Sequence, residues 1–154
     1  MFRNLLSRLF SDMSETAALP SEDGEVAIAA LLVRIARADD RYSEIEKRRI
    51  EMVLARRRGL DHNEAAERRA AAEMIEAEAP DTVRFTRSIK DRVEIEDRRN
   101  IIAALWEVAY ADGSRSAEEE SMIRLIAGLL GVNDRDSALV RQRVLDDLGI
   151  SGLS

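Results

Sequence analysis

The residues best placed to do chemistry are carboxylates at two turns. Asp39-Asp40 follows one apolar run and Asp112-Gly113 follows another, and each turn leads into Ser-x-x-Glu, as Ser43 with Glu46 and as Ser116 with Glu119. Hard divalent cations such as calcium or magnesium need several converging carboxylate and carbonyl oxygens, so Asp39, Asp40 and Asp112 are the candidate metal ligands if folding brings the two turns together. Neither segment has the ligand spacing of an EF-hand, with its central glycine and terminal glutamate. Helix capping also accounts for the same residues. In Ser-x-x-Glu the serine oxygen accepts from the third helical amide and the glutamate accepts from the serine amide, so Ser43, Glu46, Ser116 and Glu119 read as two capping boxes. Asp39 and Asp112 sit where turns favour aspartate.

Other chemistries find little support. The chain has no cysteine, which removes disulfides, thiolate metal sites and cysteine nucleophiles. Its single histidine, His62, has no neighbouring nucleophile or ligand signature and reads as a surface residue. Glycine-rich phosphate loops, nucleophile elbows and dinucleotide fingerprints are missing from the sequence, so the expectation is a noncatalytic protein with no cofactor beyond the candidate cation. A net charge of −6 and a pI near 5.0 work against nucleic acid as a partner. The basic residues, Arg almost throughout, cluster at Arg48-Arg49, Arg56 to Arg58, Arg68-Arg69 and Arg98-Arg99. They read as solvated helix faces that complement helix dipoles and i,i+4 acidic neighbours.

The elements that must position the carboxylates follow from composition and pattern. With 45% hydrophobic residues, 35% charged residues, and few aromatics, glycines and prolines, the 154-residue chain reads as all-α and about the size of one domain. Sliding the sequence so that Ile28 falls on Ile101 also matches Ala30 with Ala103, Leu32 with Leu105, Ala36 with Ala109, Asp39 with Asp112, Ser43 with Ser116, Glu46 with Glu119 and Ile50 with Ile123. The body is therefore expected to be a compact bundle of about seven helices built on two pseudo-symmetric helix-turn-helix repeats.

The first helix of each copy, about 22–38 and 94–111, is apolar nearly all round and belongs in the middle. Alanines at 29, 30, 36, 103, 104 and 109 would let these two helices approach closely. The second helices are expected at about 44–58 and 117–130, ending at Gly59 and Gly131. Further helices are read at about 61–78, 81–90 and 134–148, the last burying Val140, Val144, Leu145 and Leu148. Trp106 reads as core, with Tyr110 one turn later within reach of its edge.

Residues 1–20 form a separate unit in this reading, and residues 21–150 the helical domain. Phe2, Leu5, Leu6, Leu9, Phe10 and Met13 make one apolar stripe with Arg3 and Arg8 off it, and residues 14–24 hold the linker, with Ser21 a candidate N-cap. The stripe is a segment for docking on a partner, on its own domain, or weakly on a membrane surface through residues 1–13. No run approaches the ~18 apolar residues of a membrane span, which points to a cytoplasmic protein, and the absence of a dimer motif points to a monomer.

The segments ARADDRYSEIE and AYADGSRSAEEE resemble the A-D-G/D-x-x-S-x-x-E hallmark of the tellurite-resistance TerB family and of TerB-like domains, over about residues 22–148. The resemblance implies a bundle of about seven helices with internal pseudo-symmetry. It carries the family's acidic positions onto Asp39, Glu46, Asp112 and Glu119, and onto Asp40 where the second copy has Gly113. It also implies a bacterial stress-resistance setting of membrane-associated complexes and metal-linked partners; a TerB-like domain also precedes the J-domain of a membrane-anchored co-chaperone. Asp40 departs from the simplest motif, and the N-terminal stripe lies outside the family domain. The expected function is a noncatalytic, stress-associated interaction module that offers an acidic helical surface to an unidentified protein partner. The alternative is a divalent-metal-binding stress-resistance protein using the acidic turns.

Overall fold

The computed structural model describes residues 21–78, 82–113 and 116–149, and these form seven helices with no strand among them. They are α1 Ser21–Ala36, α2 Glu44–Arg58, α3 His62–Glu78, α4 Thr82–Arg92, α5 Ile95–Ala109, α6 Ala117–Leu129 and α7 Asp134–Leu148. The N-terminal stripe and most of its linker lie outside the described residues. None of these helices is long and apolar enough to cross a membrane.

The apolar helix α1 takes the centre because it has almost no polar face to offer water. From Val26 to Ala36 only Arg34 is not buried, and α1 packs against α2, α3, α4, α5 and α6. Arg34 reaches outward, where it donates to Glu76 on α3 (3.1 Å) and to the Thr82 hydroxyl on α4 (2.9 Å). The second apolar helix, α5, crosses α1, and Ala29, Ala30, Ala36, Ala104 and Ala109 are all buried as close approach requires. Ala103 is only partly buried and faces a groove instead.

The turns follow their local chemistry. Gly59, Gly131 and Gly149 adopt positive φ at the ends of α2, α6 and α7. After α1 the chain turns at Asp40 with φ 62°, and after α5 it turns at the equivalent Gly113 with φ 78°. Asp40 is the one described non-glycine residue in that region, which aspartate tolerates better than most side chains. Asp61 and Glu64 form a reciprocal cap at the start of α3, leaving His62 exposed.

Three expectations need correction. Ser21 is the first residue of α1 rather than the residue before it, a one-position difference of the kind helix ends commonly show. Of the four α7 residues expected in the core, Val144 and Leu145 are buried, whereas Val140 and Leu148 border the groove. The arginines are not chiefly solvated faces. Arg57 bonds Glu25, Arg69 bonds Glu51, and Arg49 and Arg56 both bond Glu107, so they clamp different helices together. The side chains of Arg57 and Arg69 are only 18% and 19% exposed, so these pairs are partly desolvated and worth more than surface pairs.

Candidate functional site

The acidic residues of both turns are positioned by the starts of α2 and α6. Ser43 is in extended backbone before α2, and its Oγ accepts from the Glu46 amide at 3.1 Å while Glu46 Oε1 accepts from the Ser43 amide at 2.9 Å. This is the full capping box read from the sequence. At α6 only half of it forms. Ser116 Oγ accepts from the Glu119 amide at 3.2 Å, but Glu119 makes no return bond to the Ser116 amide.

Glu119 is instead turned inward against Glu46. Both side chains are buried, each 3% exposed, and the two carboxyl groups are within hydrogen-bonding reach of each other. Burial is the main reason the Glu119 carboxyl is pushed up to about 9; the hydrogen bond to Glu46 and the negative charges of Glu46, Asp39 and Asp112 push the same way. Glu46 is also raised by burial, but the Ser43 amide and hydroxyl and the Glu119 carboxyl all stabilise its ionised form. Two carboxylates this close cannot both stay charged away from water, so one proton is shared, residing mainly on Glu119. Glu119 Oε2 is buried and accepts from no N–H or hydroxyl, which suits a carboxyl that carries its own proton.

Of the predicted site residues, the fold thus brings Asp39, Glu46, Asp112 and Glu119 into one electrostatic neighbourhood. Asp39 is tied down locally, its Oδ1 accepting from the Arg41 amide at 3.0 Å. Asp40 is exposed at its turn. Among the described residues, no group of three or more His, Asp or Glu is arranged to hold a metal ion. The Glu46–Glu119 contact was missed in the sequence because Ser-x-x-Glu reads equally well as two complete caps. The signal available was the repeat itself, since matched elements place matched residues near each other.

The capping asymmetry has a measurable consequence. Ser43→Ala removes the cap on the Glu46 amide and the hydroxyl that donates to the buried Glu46 carboxylate, and is expected to lower stability by about 1–2 kcal/mol, whereas Ser116→Ala loses the cap on the Glu119 amide and a donation to the exposed Glu118, and costs about 0.5–1 kcal/mol. Urea unfolding of the two variants checks this; equal losses would mean that the Ser43 hydroxyl's bond to the Glu46 carboxylate adds nothing.

A second feature had no sequence signal. A groove of about 730 Å³ opens between α2, α5 and α7. Ala103, Leu139, Val140 and Leu148 supply its apolar lining, and Leu139 is 58% exposed. Charged residues of both signs surround this lining, including Arg143, Glu96 and Asp147.

Seven helices, the first of them apolar and central, with paired acidic turns, define an all-α domain of the TerB type. The chain matches the family described as tellurite resistance protein TerB over residues 25–142, and it belongs to that family. No curated protein and no solved structure matches the chain.

Proposed function

We propose that this chain is a noncatalytic, stress-associated interaction module of the TerB family, and that its partner protein docks in the groove between α2, α5 and α7. The observation that carries this reading is the open apolar lining. Leu139, Val140 and Leu148 flank the buried Val144 on α7 and line the groove, and charges of both signs border them. Such an arrangement fits an amphipathic helix, which binds through apolar anchors at helical spacing while its flanks meet a polar rim. Leu139→Asp is the test because that side chain is mostly exposed and the fold does not depend on it. Affinity capture with the wild type should retain a partner that Leu139→Asp loses and the Asp39→Asn/Asp112→Asn variant keeps. A captured set that does not change with Leu139→Asp would sink the reading.

A second reading is favoured by the buried, unpartnered Oε2 of Glu119 beside three further carboxyl groups. A divalent cation at this centre would displace the shared proton and draw Asp39 and Asp112 inward, because the present arrangement is that of a proton-bridged pair. Metal-stripped protein is expected to melt several degrees higher with millimolar calcium, magnesium, manganese or zinc if this holds, and the Asp39→Asn/Asp112→Asn variant should lose the rise. No rise with any of the four ions would leave the centre as a proton-sharing pair.

A further inference from the structure

The groove has a candidate occupant in the same chain. We infer that the N-terminal apolar stripe, Phe2 to Met13, seats as an amphipathic helix in the groove between α2, α5 and α7, so that the module carries its own competitor for the partner. This inference rests on the groove being the docking surface. Three observations converge on it. The first is length: the α5 side of the groove runs from Glu96 to Glu107, and the stripe from Phe2 to Met13 has the same number of residues, about 18 Å as a helix.

The second is reach. The described chain begins at Ser21, and Glu25 is held by Arg57 at the C-terminal end of α2, next to Arg56 on the groove rim. Residues 14–20 can extend to about 25 Å, enough to bring the stripe back over that rim. The third is charge. Glu96, Asp147 and Arg143 line the groove without an ion pair to any other described residue, although Glu107 and Asp136 beside them are both paired. The stripe's flanks carry Arg3, Arg8 and Asp12, which offer the opposite signs. Leucine and phenylalanine anchors against Leu139, Val140 and Leu148 would bury the apolar surface that both partners expose singly.

The chain has no cysteine, so one introduced thiol gives an unambiguous label. Ser7→Cys, off the stripe, is labelled with a nitroxide in the full chain, and the loss of isotope-labelled amide signals is read by NMR. Seating predicts selective loss at Ala103, Leu139 and Val140, with α3 spared, independent of protein concentration and abolished by Leu5→Asp/Leu9→Asp. Loss that is spread evenly, or no loss, overturns the inference. Loss that appears in unlabelled copies mixed with spin-labelled ones assigns the contact to a second molecule and overturns it too, as does broadening that requires anionic phospholipid vesicles. Partner capture repeated with Leu5→Asp/Leu9→Asp separates the two readings. Seating predicts stronger capture from this variant, whereas unchanged capture that still depends on Leu139 keeps the partner site and removes the competitor.

Discussion

Glu119→Gln is expected to leave the protein folded and to make its stability less dependent on pH, with the variant overtaking the wild type as the solution becomes alkaline. In the native protein Glu119 holds a proton up to about pH 9, whereas in the unfolded chain it releases it near its ordinary value of 4.5. Below that lower value both states are protonated and the stabilisation is fully present. Between the two values the native state binds a proton that the unfolded state does not, so stability falls as pH rises and the contribution is gone once the pH passes 9. The slope from this group is at most about 1.4 kcal/mol per pH unit.

Glutamine keeps the shape of the protonated acid and can donate its amide to Glu46, so the slope should vanish while the contact survives. Glu46→Gln should behave differently, because Glu46 is the ionised member and accepts from the Ser43 amide and hydroxyl. It is expected to lose stability at neutral pH. Denaturant unfolding of the three proteins from pH 5 to pH 9.5 checks both statements. Parallel curves for wild type and Glu119→Gln would show that Glu119 is not the proton carrier, and identical effects of the two glutamines would show that the pair is not asymmetric.

Much of the architecture was legible because the devices that build it are local. Seven helices follow from apolar period, capping boxes and glycine stops, and α2 and α7 begin and end at the residues their caps specify. The central place of α1 followed from its lack of a polar face, since such a helix can only be covered. The acidic centre was legible in its members but not in its wiring. A Ser-x-x-Glu motif specifies where a glutamate starts, but burial and a second copy decide where its carboxyl ends. At Glu46 the local bond wins; at Glu119 the contact across the repeat wins.

The arginine clamps and the groove were illegible for a related reason. Arg56 and Glu107 are far apart in sequence, and nothing in their neighbours says that one salt bridge joins α2 to α5. The groove exists because α7 is only partly covered, and incomplete coverage is a property of how helices are arranged rather than of any one helix.

The largest single loss of stability is expected at Trp106, and the reason lies in what gathers around it. Trp106 is buried and stacks on Tyr110 at 5.9 Å between ring centroids, with planes 16° apart, so the two rings lie nearly parallel and offset. The Arg141 guanidinium from α7 lies over both rings, 5.6 Å from Trp106 and 5.7 Å from Tyr110. Tyr110 donates to Glu120 Oε2 on α6 at 2.6 Å and accepts from Arg141 Nε at 2.9 Å. Burial and the bond to Glu120 raise the Tyr110 hydroxyl above its usual range, so it stays protonated and able to donate.

One aromatic pair therefore fastens α5, α6 and α7 to each other. Trp106→Ala removes the ring that supports this arrangement and opens a cavity that the helices cannot close without breaking the Tyr110 bonds. It is expected to cost about 3–5 kcal/mol, a fall in melting temperature of roughly 10 °C or more for a chain of this size. Trp106→Phe should cost clearly less, because it keeps the stack and removes an indole N–H that has no hydrogen-bond partner. Trp106 is the only tryptophan, so circular dichroism in urea must replace fluorescence as the readout. If the alanine and phenylalanine variants unfold at the same urea concentration, the stack does not hold the three helices together, and their packing rests on the aliphatic core alone.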